Sequence, residues 1–404
     1  MPVVKTFISH HGGDYVKHVA PILRQVAPLG VRPWIDKRDL CDRVGLHLDK
    51  QLQDAIFKGQ CSSLSVFLTK TAATRKWIDQ EVAWALDQLE VGFRVLPIWI
   101  DPPGSIDLPP VYRDILERRK VLWLEPQSDP RFLEKYTASV LATAGIDKET
   151  QELTLYLGHR SEQWDAVLPK AWESQPAIDL RLDVDGHQEL SPTEEEWREI
   201  EAGLQRIRRL TGQLERINVC GQAPLGVGTL IGKVWDRSAG QRAPIQLRTF
   251  NVKGEQIWTT DSQDYDLSDN WKPEHSHYVK MDRPVAIRED KLLLAMLPET
   301  RVKDFLPRVH DWNEAREQPS LVHVAKLPSI ITSPEHAQQI VRECVGALRF
   351  IRQSYPRAGV LEIISGYPLA LAPLISYHLR TCGPLHFYDE VKVTHDYRLA
   401  AVIA

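Results

Sequence analysis

The chain has 404 residues, 26% of them charged, and a formal net charge of −4. The length suits roughly two or three domains. The charge balance argues against binding a long nucleic acid, and no apolar run is long enough to span a bilayer. Five scattered cysteines predict buried thiols in a reducing compartment. With no signal-peptide pattern at the N-terminus, we expect a cytoplasmic protein.

Strands and helices alternate over the first part of the chain. Short apolar runs predict five buried parallel strands, at 3–9, 31–36, 61–69, 93–101 and 120–125. A helix is predicted at 14–28, and Asp129 with Pro130 is predicted to cap and open a last helix. The alternation predicts a doubly wound α/β sheet, in which ligands bind beyond the carboxyl ends of the strands.

Within this region, TRKWIDQEVAWAL (74–86) has the spacing of an amphipathic helix. Glu81 lies four residues after Trp77 and three before Trp84, so all three share one side of the helix. This arrangement favours a functional carboxylate between two indoles. The alternative, a glutamate that simply faces water on a surface helix, stays open at this point.

Four motifs in this order, FISHHGGDY, PWIDKRDLCDRVG, W-x-x-x-E and RVLPIWID, resemble the TIR domain over residues 1–145. The resemblance implies a flavodoxin-like, five-stranded parallel sheet. The TIR family contains signalling scaffolds and NAD⁺-cleaving enzymes, and in the enzymes the glutamate of W-x-x-x-E is catalytic. The resemblance therefore implies that Glu81 is catalytic, and it also implies a set of substrate-binding residues. These are Trp77, Phe7, Ser9, His10, Trp84 and the ends of a mobile gating loop, Asp36 and Gly45.

The proposed reaction explains why one carboxylate is enough. Most glycosidases need a second carboxyl group to protonate the leaving alcohol. Nicotinamide leaves NAD⁺ as a neutral molecule, so one anion that stabilises the ribosyl cation suffices. A flanking indole can stabilise the cationic ring. The expected activity is that of an NAD⁺ nucleosidase, in which NAD⁺ is the substrate and no cofactor is needed.

The rest of the chain is predicted to be a linker at 146–159 and a second domain at 160–404 that contains an internal repeat. The pattern P-L-x-x-x-x-L-I occurs at 224–231 and again at 368–375, and two Ser-Pro pairs lie 142 residues apart. We predict two Rossmann-like halves, at about 177–250 and 321–389, joined by an insertion at 251–320.

Three glycines in the first half nearly spell a dinucleotide-binding motif. Gly226, Gly228 and Gly232 follow a strand, but their spacing is off by one. The aligned residues of the second half are Ala370, Ala372 and Ser376. Small residues at all three positions favour a helix packed closely on its sheet.

The repeat, together with LEIISGYPLALAPLISYHLRTCGPLHFYD, resembles the SAVED domain, a fused pair of CARF-like Rossmann units. That family senses cyclic oligonucleotides, mostly cyclic trinucleotides, in bacterial anti-phage systems (CBASS). Pocket candidates are the polar residues in the loops after strands or at the ends of the third strands, where helix N-termini and freed amides bind phosphates. These candidates are His187, Gln222, Lys326, Ser329, Gly366, Tyr367, Arg248 and Tyr388. His275 and His277 have an H-x-H spacing but no recognisable third ligand, so no metal site is predicted.

Fusing such a sensor to a TIR domain suggests a conditional effector. A cyclic oligonucleotide would drive self-association into a head-to-tail oligomer or filament, which would complete the TIR active sites and deplete NAD⁺ in an infected bacterial cell. In the alternative hypothesis the TIR domains assemble as a non-catalytic scaffold that recruits a partner. NAD⁺ and the cyclic oligonucleotide are therefore the expected ligands, with no long nucleic acid and no membrane.

Overall fold

The structure is a computed structural model that describes most of the chain. The described residues are 4–35, 48–57, 61–107, 110, 112, 125–126, 129, 131–158, 177–180, 192–236, 243–251, 254–260, 271–281, 291–379, 382–391 and 394–403. The predicted loop from Asp36 to Gly45, His187 and all but the last residue of the predicted strand 120–125 lie outside them. The chain divides into two compact units: residues up to Tyr156 belong to the first, with 177–180 and 209–212, and the other described residues belong to the second.

The first unit contains a four-stranded parallel sheet in the order β2-β1-β3-β4. All four strands were predicted, and after the first residue of each strand the side chains are buried on both faces. They are β1 (Lys5–Ser9), β2 (Arg32–Trp34), β3 (Ser63–Leu68) and β4 (Arg94–Trp99). Phe7 lies opposite both Trp34 and Leu64 in the register, so β1 is central.

Four helices accompany this sheet among the described residues. They are α1 (Ala20–Val26), α2 (Leu48–Phe57), α3 (Lys76–Asp87) and α4 (Phe132–Thr143). A π-helical turn, Tyr15–Val19, precedes α1 within the predicted helix. The prediction that Asp129 caps α4 is wrong, because the N-cap is Arg131. The Asp129 carboxylate instead accepts from the Arg131 amide at 2.9 Å and from Lys135 Nζ at 2.6 Å, which closes the turn before the helix.

A strand interrupts the predicted linker. Glu152–Gly158 forms β5, which pairs in parallel with β6 (Ala177–Asp179). Thr154, Leu155 and Tyr156 are all buried, so the segment has the burial of an internal strand on both faces. The linker prediction is therefore wrong for 152–158.

The second unit carries strands and helices from both predicted halves, from the predicted insertion and from the residues after 389. The first half supplies most of α5 (Glu194–Thr211), then β7 (Arg216–Gln222), α6 (Leu225–Val234) and β8 (Ile245–Asn251). The predicted insertion contains β9 (Gly254–Thr259), β10 (Lys280–Met281), β11 (Lys291–Pro298) and α7 (Val302–Glu314). The second half supplies β12 (Leu321–Leu327), α8 (Pro334–Ser354), β13 (Val360–Ser365), α9 (Leu371–Ser376) and β14 (Leu385–Val391), and β15 (Asp396–Ile403) follows it. Six of these strands form one sheet in the order β10-β12-β11-β13-β14-β15.

The central strand of that sheet lies inside the predicted insertion. β11 pairs in parallel with β12 on one side and β13 on the other. Each predicted half therefore begins one strand too late. The order β5, β6, α5, β7, α6, β8, β9 recurs as β11, β12, α8, β13, α9, β14, β15, except that α7 lies between β11 and β12, and the last two strands are antiparallel both times.

The small residues of the repeated motif mediate contact between α6 and α9. A Cβ atom on Gly232 would lie 2.0 Å from Ser376 Oγ, and one on Gly228 would lie 2.9 Å from Ala372 Cβ. These are the aligned positions of the two halves, and they meet each other as a local twofold relation requires. Close packing of α6 is confirmed, but the predicted partner is wrong, because Gly228 and Gly232 pack on the equivalent helix of the other half and not on the sheet of their own half.

Candidate functional site

The predicted catalytic glutamate is buried at the carboxyl end of β1. Glu81 lies on the inward side of α3 with Ile78, Val82 and Ala85, and it is 5% exposed. Ser9, the last residue of β1, donates a hydrogen bond from Oγ to Glu81 Oε2 at 2.5 Å. The alternative of a solvent-facing glutamate is therefore wrong. The carboxyl group of Glu81 therefore lies at the edge where a doubly wound sheet binds ligands.

The two indole rings on α3 contact each other. Trp77 and Trp84 meet edge to face, with ring centroids 6.0 Å apart and an interplanar angle of 85°. Trp77 is 40% exposed, whereas Trp84 is half-buried against the hydrophobic core. Trp77 therefore offers an open ring surface one helical turn before Glu81.

The three predicted residues of β1 and its loop have different environments. Phe7 is 1% exposed and stacks on Trp34, with centroids 4.7 Å apart, so its ring belongs to the core. Ser9 contacts Glu81. His10 is half-buried, and its ring lies 5.2 Å from that of Tyr15.

A buried phenol, that of Tyr112, lies close enough to Asp79 and Glu81 for the charges of both to act on it. Burial raises the pKa of Asp79, and burial together with the charges of Asp79 and Glu81 raises the pKa of Tyr112. Tyr112 is 2% exposed, and its hydroxyl has no hydrogen-bond partner among the described residues. A phenol kept protonated in this way is an available donor beside the carboxylates.

A polar cluster lies at the same edge of the sheet, and its residues Asp14, Thr69 and Arg75 were not among the predicted site residues. Thr69 Oγ1, just after β3, donates to Asp14 Oδ2 at 2.6 Å. Asp14 Oδ2 lies 3.6 Å from His11 Nδ1, and Arg75 Nη2 lies 3.1 Å from His11 Nε2. Arg75 is the N-cap residue of α3. His11 and Arg75 are 64 residues apart, so no local spacing signals their contact.

Three predicted sensor residues come together at one edge of the six-stranded sheet. Lys326 is exposed near the end of β12, opposite Leu297 of β11. Ser329 Oγ accepts a hydrogen bond from the Thr300 amide at 3.0 Å, just after β11. The Gly366 amide, just after β13, donates to Met296 O at 2.9 Å.

The other sensor candidates are more enclosed or less defined. Tyr367 is 3% exposed, and burial raises the pKa of its hydroxyl. Arg248 lies opposite Ile257 in the β8–β9 pair. Gln222 is the last residue of β7, and His187 lies outside the described residues.

Tyr388 belongs to a buried ionic network. Its hydroxyl lies 3.1 Å from Glu362 Oε1, and Arg316 donates two hydrogen bonds to the Glu362 carboxylate at 2.7 and 2.6 Å. Arg316 also lies over the Trp312 ring, 4.6 Å from its centroid. Burial acts to raise the pKa of Glu362, but the hydrogen bonds from Arg316 and Ser320 outweigh it and lower the pKa. The Tyr388 hydroxyl is thus engaged with protein groups.

A buried glutamate anchors the segment 271–281 to α8. Glu343 accepts hydrogen bonds from the backbone amides of Tyr278 at 2.7 Å and Val279 at 2.8 Å, and from the Ser276 hydroxyl. Burial acts to raise the pKa of Glu343, but these hydrogen bonds outweigh it and lower the pKa. His275 and His277 lie in this segment, and the described residues contain no group of three or more potential metal ligands.

Residues 6–132 match a family model described as the TIR domain. The N-terminal part of the chain is therefore a TIR domain, as its motifs predicted. No helix within the described ranges is both long and apolar enough to cross a membrane. Among curated proteins, none matches the sequence.

Several solved structures of SAVED/CARF-domain containing receptors resemble the chain as a whole. Acinetobacter baumannii Cap4 with the cyclic trinucleotide 2'3'3'-cAAA is 14% identical with a TM-score of 0.46, over 89% of this chain and 86% of that one. Its complex with 3'3'3'-cAAA is 14% identical with a TM-score of 0.45, over 99% and 81%. Moraxella osloensis Cap4 is 13% identical with a TM-score of 0.40, over 88% and 83%. Similarity at this distance does not assign a function.

Proposed function

We propose that the chain is an NAD⁺ nucleosidase that a cyclic oligonucleotide activates. The observation that carries the proposal is the Glu81 carboxylate, which is 5% exposed and hydrogen-bonded to Ser9 at the carboxyl edge of a TIR-domain sheet. Trp77 presents an open indole on the same helix. NAD⁺ is the substrate, and the bond cleaved joins nicotinamide to ribose.

The chemistry of this bond matches the groups present. Nicotinamide departs as a neutral molecule, so the site needs no acid to protonate it, and the ribose left behind carries the positive charge. An anion fixed in a partly desolvated position stabilises that charge more strongly than water does. In this scheme Glu81 stabilises the ribosyl cation, Ser9 orients the carboxylate, and Trp77 packs against the nicotinamide ring.

The second unit is the proposed sensor. Its repeated architecture and the SAVED-like motif in its sequence support a cyclic oligonucleotide as the activator, and we place a cyclic trinucleotide first. Lys326, Ser329 and Gly366 are the residues proposed to contact it. Binding would assemble chains head to tail, through heterologous faces, so that neighbouring TIR domains complete each other's sites. The proposed setting is anti-phage defence in the bacterial cytoplasm, where NAD⁺ loss stops an infected cell.

The low exposure of Glu81 also favours a second candidate, a TIR scaffold that assembles without catalysis. To separate the two, the purified chain is incubated with NAD⁺ and a panel of cyclic di- and trinucleotides. Nicotinamide is measured by chromatography and assembly by light scattering. The enzyme hypothesis predicts ligand-dependent nicotinamide release that Glu81→Gln abolishes while assembly persists.

The matched control is Glu90→Gln, because Glu90 is an exposed glutamate just beyond the same helix. It should retain full activity. Assembly without nicotinamide release by the wild type supports the scaffold. Nicotinamide release by Glu81→Gln shows that another group does the chemistry.

A further inference from the structure

The polar cluster of His11, Asp14, Thr69 and Arg75 lies at the same edge of the sheet as Glu81, and the donor of its His11–Arg75 hydrogen bond is fixed by chemistry. A guanidinium donates and never accepts, so His11 Nε2 must accept from Arg75 across their 3.1 Å contact. In the neutral imidazole the proton then sits on Nδ1, which faces Asp14 Oδ2 at 3.6 Å. Asp14 is held in turn by the Thr69 hydroxyl at 2.6 Å. The cluster thus aims an imidazole lone pair at the Arg75 guanidinium.

The glycine pair that follows His11 supports the same geometry independently. A Cβ atom on Gly13 would lie 2.9 Å from His11 Cε1 and 3.2 Å from Nδ1, whereas one on Gly12 would meet nothing within 4 Å. The second glycine is therefore required for the ring to lie where it does, and the first is not.

Arg75 is placed to reach beyond the reacting bond. It is exposed, and His11 is the one hydrogen-bond partner of its guanidinium in the part of the chain that the structure describes. Arg75 precedes Glu81 by six residues, which is about 9 Å along a helix axis. In a dinucleotide bound with its nicotinamide ribose at Glu81, the diphosphate lies one ribose ring and one methylene group away. Lys70 and Lys76, both exposed, add positive charge nearby.

We infer that Arg75 binds the diphosphate of the dinucleotide substrate, and that His11 is a positioning residue that orients the guanidinium. A planar guanidinium offers paired N–H donors that match phosphate oxygens. This inference rests on the proposed function and deepens it, since it makes the site selective for a dinucleotide over nicotinamide riboside, which has no phosphate.

The test measures binding to the full-length chain in a Glu81→Gln background, so that NAD⁺ is not consumed. Calorimetric titrations with NAD⁺ and with nicotinamide riboside are run in the presence of 3'3'3'-cAAA as the probe activator. Arg75→Ala should weaken NAD⁺ binding roughly tenfold, the loss of one charged hydrogen-bonding group, and leave nicotinamide riboside binding unchanged. Gly13→Ala should weaken NAD⁺ binding severalfold, and Gly12→Ala should not.

Arg94→Ala is the charge control, because Arg94 is an exposed arginine at the opposite end of the sheet. Unchanged NAD⁺ binding in Arg75→Ala, or equal losses for both ligands, overturns the role of Arg75. Equal effects of Gly12→Ala and Gly13→Ala overturn the role of His11. Turnover by the wild type is measured separately: NAD⁺ binding without nicotinamide release refutes the proposed function alone, and absence of NAD⁺ binding refutes both.

Discussion

Gly232→Ala tests the contact between the two repeated helices. The added methyl group would lie 2.0 Å from Ser376 Oγ, 2.3 Å from Pro373 O and 2.9 Å from Tyr377 N. Ordinary contacts begin near 3.4 Å, so α6 and α9 must separate by about 1 Å or more. Two of the three atoms belong to the backbone and cannot rotate away. We therefore expect Gly232→Ala to lower the free energy of unfolding by about 3 kcal/mol, near the upper end of the range for overpacked cores.

The assay is urea unfolding of the full-length chain, with tryptophan fluorescence as the probe of unfolding. Gly359→Ala is the matched control, because a Cβ atom there meets nothing within 4 Å and its backbone is not left-handed. The control should unfold at the wild-type urea concentration, and Gly232→Ala at a clearly lower one. A Gly232→Ala protein as stable as the control would refute the tight packing of aligned positions and the local twofold relation built on it.

Three further substitutions probe the buried carboxylates. Glu362→Gln leaves Arg316 without its counter-charge and should destabilise the fold by about 3 kcal/mol in urea unfolding. The folded pKa of Glu362 is below its ordinary value of 4.5, so its stabilisation is present above that value and is lost as the pH falls; the two proteins should converge in acid. Glu343→Gln should speed hydrogen exchange at the Tyr278 amide, and unchanged protection would contradict the anchoring role. Ser9→Ala should lower kcat for NAD⁺ cleavage roughly tenfold with little change in KM, and an unchanged kcat would remove Ser9 from the proposed site.

Sequence patterns predicted the three middle strands of each repeat and missed the strand that begins and the strand that ends it. The β11 sequence KLLLAMLP is a continuous apolar run, which is typical of a buried parallel strand. The predicted insertion includes it because the Ser-Pro pairs that define the repeat follow the second strand of each half. For the same reason the predicted linker includes β5.

The site shows what a motif can and cannot provide. W-x-x-x-E identified Glu81, and its burial follows from the apolar spacing of α3. The contact between Ser9 and Glu81 spans 72 residues, so only the parallel arrangement of strands could suggest it. Tyr388 shows what sequence alone does not distinguish. An aromatic residue near a strand end gives the same pattern whether its side chain binds a ligand or a buried carboxylate such as Glu362.

The burial of Glu81 defines what activation has to achieve. With 5% of the residue exposed and one oxygen bonded to Ser9, little of the carboxylate is open to a ribose. Moving a two-state equilibrium from 1:99 to 99:1 requires about 5.5 kcal/mol of differential binding. A ligand that binds only the assembled form contributes RT ln(1 + [L]/Kd), so this shift requires free ligand at about 10⁴ times Kd, which a Kd of about 1 nM reaches at about 10 µM ligand. A ligand that binds both forms equally does not shift the equilibrium. If assembly is the switch, the activator binds the assembled form more tightly, and its apparent affinity must increase with protein concentration.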